Sequence, residues 1–317
     1  MELTTVKEAE EAAERIKDVI VHTPLVPLHS FDKKQEIYLK PENLQPVTSF
    51  KLRGVFNAVA SFTDEQRQKG LSTFSSGNTA QALGWVARYY DVPARTVMRD
   101  SVPQNKIDAI KSFGVDTILF PLEEMRGYVL GHGWKQESYS FIHPWFDPYV
   151  RAGHGTIGTE ILGDMPDVDT VYIPVGGGGL ICGVGAVLKE LKPSIRIIGV
   201  QPEVSPTLSE SFKAGKGLMS ILGDTIADTT APIVDEMYPL LKQVVDDVVL
   251  VSEKEIKRAL KRLMLRNKLV VEGAGAMSVA AALKEPFKDR GKAVCILSGS
   301  SIDTEKLVAI LNDPSLN

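Results

Sequence analysis

Three short segments carry groups able to do chemistry. Lys51, in TSFKLRG, stands in the first turn of a helical pattern that begins near Ser49, after the strand and the Pro- and Asn-containing turn of YLKPENLQPV. A lysine there is unfavourable on capping grounds, because the positive end of a helix dipole prefers anions. The same location lowers an ammonium pKa, which suits an amine that attacks a carbonyl to form a Schiff base. Taken alone, the position favours a solvated lysine.

The second segment, VYIPVGGGGLICGVGAVLKEL at 171–191, reads as an apolar strand, a glycine run and an amphipathic helix. Backbone N–H groups of Gly176, Gly177, Gly178 and Gly179, at the positive end of that helix, would cradle an anion without any basic side chain. A merely tight strand-to-helix turn is the alternative. No register of GGGGLICGVG completes G-x-G-x-x-G, and no Lys-Ser or Lys-Thr follows at P-loop spacing. Dinucleotide and ATP readings are thereby weakened, and a compact monophosphate fits better. The third segment, FSSGNTAQALGWVARYY at 74–90, offers Ser75, Ser76, Asn78 and Thr79 with the exposed amides of a helix start. These suit a carboxylate, or plain N-capping.

The elements that must position these segments alternate regularly. Strand patterns fall at 71–75, 94–99, 116–121, 139–144, 170–175, 196–201, 247–252 and 293–298, with helical patterns near 78–90, 103–113, 149–163, 179–191, 253–266 and 273–285. Such alternation predicts an α/β fold with mostly parallel sheets covered by helices on both faces. There are more units than one sheet normally holds, and HPWFDP at 143–148 interrupts the rhythm, so two lobes are expected. The large lobe is placed at 1–48 and 146–317, the small, mobile lobe at 49–145, with the cleft beyond the carboxyl ends of the strands. The C-terminal end of the sequence leaves little room for a regulatory domain.

Composition narrows the function. With 44% hydrophobic and 24% charged residues the 317-residue chain can bury a full core. A net charge of −4 argues against nucleic acid as the main partner. There is no signal-peptide pattern and no long apolar run, so a cytoplasmic, non-membrane protein acting on a small molecule is expected. Cys182 and Cys295 are too few for a disulfide framework and read as buried thiols. None of the five histidines forms a close metal-ligand pair, and no G-x-S-x-G elbow is present.

Taken together, K-P-E-N-L-Q-P-x-x-S-F-K-x-R-G, S-S-G-N, G-G-G-G and a late L-S-G resemble, in family order, the fold type II enzymes that use pyridoxal 5′-phosphate. The chain is similar over nearly its whole length to the catalytic domain of threonine/serine ammonia-lyases (dehydratases) and serine racemases. The resemblance implies that Lys51 is the Schiff-base lysine, that Phe50 packs on the cofactor ring, and that Gly176 to Gly179 with Leu180 form the phosphate loop. It further implies that Asn78 binds the cofactor's 3′-hydroxyl, that Ser298 faces the pyridine nitrogen, and that Ser75, Ser76 and Thr79 hold the substrate carboxylate. Ser76 matches the opposite-face acid/base of the racemases. A neutral serine at 298 would leave the ring nitrogen largely unprotonated and favour expulsion of a β-leaving group over a long-lived quinonoid.

Several positions depart from that pattern. Thr79 stands where histidine is usual, a choice more like threonine synthases. The segment 121–144 carries Gly127, Gly131 and Gly133 where a regular helix is usual, and with Arg126, Tyr128 and Trp134 it is a candidate lining of the pocket mouth. Gln201 replaces a usual glutamate ligand, so no metal site is expected. LSGSS at 297–301 keeps Ser298 but changes its surroundings. His154 and Glu272 are further candidates near the site, His154 as a substrate contact. The expectation is a dehydratase converting L-threonine, L-serine or a related 3-hydroxy amino acid to a 2-oxo acid and ammonia, assembled as a homodimer or homotetramer. Racemisation, a threonine synthase-like replacement reaction, and a catalytically inactive small-molecule-binding relative are the alternatives.

Overall fold

The structure, a computed structural model, describes residues 1–30, 35–218, 223–227 and 231–316. Its strands are β1 Val26–Pro27, β2 Ile37–Lys40, β3 Leu71–Phe74, β4 Ala94–Arg99, β5 Val115–Phe120, β6 Ser140–Phe141, β7 Thr170–Pro174, β8 Arg196–Pro202, β9 Asp247–Val251 and β10 Ala293–Ile296. They form two sheets. One has the order β1-β2-β10-β7-β8-β9, the other β5-β4-β3-β6. Every pairing is parallel except β1 with β2. The fold is therefore α/β, with parallel sheets in two lobes.

The strands of the larger sheet are apolar on both faces because helices cover both. Along β7, Val171 and Ile173 pack with Ile181 and Val184 of the helix Gly179–Leu191. Tyr172, pointing the other way, packs with Met277 and Val279 of the helix Gly273–Lys284. That is the two-residue period of a strand. A third core fills the smaller lobe, where Leu71 and Met98 meet Leu83, Val86 and Ile110.

Three expectations change. The pattern at 139–144 yields only a two-residue strand, because His143 turns the chain: its Nδ1 accepts the Phe146 N–H at 3.1 Å. The segment 121–144 is more helical than its glycines suggest, with a helix at Leu122–Leu130 and a 3-10 turn at Gly133–Gln136. A Cβ at Gly127 would meet nothing within 4 Å, so that glycine costs helix propensity without obstructing packing. The helix expected at 253–266 is α-helical over Glu253–Arg262 and closes as a π turn at Leu263–Asn267, ended by Lys268 in the left-handed conformation.

Candidate active site

The three segments and Ser298 meet in one cleft between the sheets, with a cavity of about 690 Å³. Lys51 is the first residue of the helix Lys51–Ala60. That helix start is pinned to the loop after β10: the Phe50 N–H donates to the Ser298 carbonyl at 3.1 Å, and the Ser300 N–H to the Thr48 carbonyl at 3.0 Å. Two residues into the helix, Arg53 is fully buried, its Nε donating to Glu42 at 2.7 Å and its Nη1 to Glu160 at 2.6 Å. Lys40 joins Glu160 at 2.5 Å. Burial alone would weaken all of these charges. Arg53 nonetheless holds Glu42 below the usual carboxylate range, so the network is ionic and locks the helix to the larger lobe.

Lys51 keeps part of its surface open to the cleft, yet the surrounding protein strips enough water from it to pull its pKa down from 10.5 to about 8. The Glu272 carboxylate opposes the shift. The lysine Nζ lies 4.7 Å from the centroid of the Phe50 ring. An amine with such a pKa is partly neutral near physiological pH and can act as nucleophile and base.

The glycine run leaves β7 and enters the helix at Gly179, with Gly178 at φ 94°. A Cβ at Gly177 would lie 2.8 Å from the Trp145 ring, and one at Gly179 3.0 Å from the Pro144 carbonyl oxygen. Backbone therefore lies where side chains would otherwise stand, and Gly176 to Gly179 and Leu180 all line the cleft. The Ser75 hydroxyl accepts the Gly77 N–H at 3.1 Å and shapes the turn into the helix Asn78–Tyr90. Ser76, Asn78 and Thr79 line the cleft beside it. Thr79 does not cap that helix: the N-cap is Gly77, without a side-chain hydrogen bond.

Asn78 donates its amide to Glu272 at 3.0 and 3.1 Å, and Glu272 also accepts the Ser301 N–H at 3.1 Å. A carboxylate can only accept, so the Asn78 NH₂ must face it and the amide oxygen points elsewhere. That oxygen is buried without a hydrogen-bond partner, as is the Ser298 hydroxyl.

His154 is a correction. Its side chain is completely buried and does not line the cleft; it packs edge-on behind Phe50, ring centroids 4.8 Å apart. Burial first, then the Lys51 charge, hold it neutral, with the Gly179 backbone opposing. A Cβ at Gly54 would lie 2.6 Å from its Nε2, so the ring fills the space a small residue leaves under the Lys51 helix. Tyr128 and Trp134 likewise turn from the cleft into an aromatic cluster with Phe74 and Phe141, whereas Arg126 lines the mouth. Trp145 was missed by sequence reasoning, as were the apolar residues of the helix Leu122–Leu130; their only signal was helical spacing inside a glycine-bearing segment. Gln201 is a helix clamp, its Oε1 accepting the Leu208 N–H at 2.7 Å. Among the described residues no three His, Cys, Asp or Glu side chains group as metal ligands, and no helix is long and apolar enough to cross a membrane.

These features fit pyridoxal phosphate. The side-chain-free glycine loop at a helix start suits a phosphate. The Ser298 hydroxyl is able to donate to an unprotonated ring nitrogen, and the orphaned Asn78 oxygen to accept from a ring hydroxyl.

Comparison with known proteins agrees. A family model described as pyridoxal-phosphate dependent enzyme matches residues 16–299. The chain is 38% identical over 309 residues to an L-threonine ammonia-lyase of Geobacter sulfurreducens, covering 95% of this chain and 77% of that protein. Among solved structures, maize serine racemase superposes with a TM-score of 0.88 at 32% identity, covering 97% of each chain. The processed form of threonine deaminase isoform 2 from Solanum lycopersicum gives 0.86 at 32% identity, covering 98% of this chain and 89% of that one.

Proposed function

This chain belongs to the pyridoxal-phosphate-dependent enzymes, and we propose that it is an ammonia-lyase converting L-threonine, L-serine or a related 3-hydroxy amino acid to a 2-oxo acid and ammonia. The observation that carries the reading is Lys51, its pKa brought to about 8, in one cleft with the glycine loop and the unpartnered Ser298 hydroxyl. When bound, pyridoxal phosphate supplies an electron-withdrawing ring that acidifies the substrate Cα–H. Lys51 would hold the cofactor through its aldehyde carbon and is placed to take the substrate Cα proton. Gly176 to Gly179 and Leu180 bind the phosphate, Phe50 supports the ring, and Asn78 and Ser298 meet its polar atoms. Ser75, Ser76 and Thr79 hold the substrate carboxylate at the helix start. Loss of water from Cα and Cβ, followed by hydrolysis, gives the products.

Within the segment 49–145, the part built on the smaller sheet acts in this reading as the lobe that moves over bound substrate, while the Lys51 helix stays pinned by Arg53 to Glu42 and Glu160. A homodimer or homotetramer in the cytoplasm belongs to the same proposal. Racemisation is the second reading, supported by Ser76 on the cleft wall and by the likeness to maize serine racemase. It requires Ser76 to reprotonate the face opposite Lys51. Assay of 2-oxo-acid release and of D-isomer formation from L-threonine and L-serine decides between the two. Release of 2-oxo acid by the holoenzyme supports elimination, and D-isomer without 2-oxo acid overturns it.

A further inference from the structure

The cleft continues past the residues assigned to cofactor and carboxylate. Its far wall is the helix Leu122–Leu130, which turns Leu122, Met125, Arg126, Val129 and Leu130 toward the cavity. These positions follow i, i+3, i+4, i+7 and i+8, one face of an α-helix. The helix buries none of its residues, and Leu122 and Leu130 are 40% and 48% exposed. An amphipathic helix ordinarily lays that face on a core; here it faces the same cavity as Lys51 and Ser76. Val102 and Ala109 extend the apolar wall. Arg126, the charged residue on the face, pairs with Glu123 at 3.1 Å, and Arg99 and Lys106 also line the cavity; it is the run of apolar positions along the helix that points to an apolar group.

We propose that this wall is a side-chain subsite, and that the preferred substrate is a 3-hydroxy amino acid whose group beyond Cβ is branched aliphatic or aryl. The proposal rests on the elimination reading above. The occupant is the substrate's own side chain, because the wall is continuous with the reacting lysine, and a methyl group is too small to cover a face spanning two helical turns. Apolar area left wet in the presence of threonine would be covered by the longer side chain.

The holoenzyme is assayed for 2-oxo-acid release from threonine, 3-hydroxyaspartate, 3-hydroxyleucine and 3-phenylserine. It is separately titrated by calorimetry with L-alanine and L-leucine, which lack the leaving group. The expected kcat/KM for 3-hydroxyleucine or 3-phenylserine exceeds that for threonine by about tenfold or more, and leucine binds about tenfold more tightly than alanine. Met125→Ser and Val129→Ser, neither at a buried position, lower both ratios several-fold. Preferential turnover of threonine or 3-hydroxyaspartate overturns the proposal, and so does equal binding of alanine and leucine. If leucine outbinds alanine while no hydroxy amino acid releases 2-oxo acid, the elimination reading falls and the subsite stands.

Discussion

The backbone N–H of Phe50 donates to the carbonyl of Ser298 at 3.1 Å, joining the segment that carries the reacting lysine to the one that carries the ring-facing hydroxyl. The two residues are far apart in sequence, one before a helix start and the other just after β10. Because the join is main chain to main chain, the side chain at 298 can be changed without releasing Lys51.

Ser298→Asp uses that freedom. A carboxylate at this place favours a protonated ring nitrogen, where the serine leaves it neutral. Release of 2-oxo acid is expected to fall by about tenfold or more, a barrier change of roughly 1.4 kcal/mol, while Cα hydrogen exchange in deuterated water rises relative to elimination. An unchanged partition between exchange and elimination would remove Ser298 from the role assigned to it.

Lys51 should reveal its environment in the apoprotein. Burial, opposed by Glu272, places its pKa at about 8, so modification by an amine reagent should rise with a midpoint near that pH. Glu272 favours the charged form, and Glu272→Gln is expected to move the midpoint downward. Since the folded pKa lies below 10.5, the unfolded chain holds more protons between about 8 and 10.5, and this group's contribution to stability grows with pH across that window. A midpoint above 10 would mean a solvated lysine.

Arg53 tests the anchor of the Lys51 helix. Arg53→Met leaves Glu42 buried without its partner, and the expected loss is about 3–5 kcal/mol of stability in urea titration. A loss under about 1 kcal/mol would show that the network does not hold the helix.

Gly177→Ala drives a methyl group into the Trp145 ring, which packs edge-on with Phe74 and His143, centroids 5.1 and 4.9 Å away. Relief by displacing the loop costs about 1–3 kcal/mol, equivalent to cofactor binding weakened by about 5- to 150-fold. Equilibrium titration of apoprotein with pyridoxal phosphate reads it. Undiminished affinity would separate the loop from cofactor binding.

Much of this was legible in the sequence for reasons that are local. The turn chemistry of FSSGN and the strand–glycine–helix run of 171–191 dictate helix starts wherever they fold, and both helices begin at the expected residues, Asn78 and Gly179. What could not be read was which way side chains face. His154 sits in sequence next to site elements, but its turn of the helix Pro148–Asp164 looks into the core beneath Phe50. Arg53 finds partners at Glu42 and Glu160, pairings set by tertiary packing rather than by spacing. The glycines of 121–144 obscured a helix, Leu122–Leu130, whose apolar face lines the cleft.

The role of Lys51 as the lysine that binds the cofactor is tested most directly by borohydride reduction of the holoprotein followed by mass mapping of its peptides. A pyridoxyl adduct on the peptide containing Lys51, with loss of visible cofactor absorbance, is expected. An adduct on a different lysine, or intact cofactor released without any adduct, would contradict it.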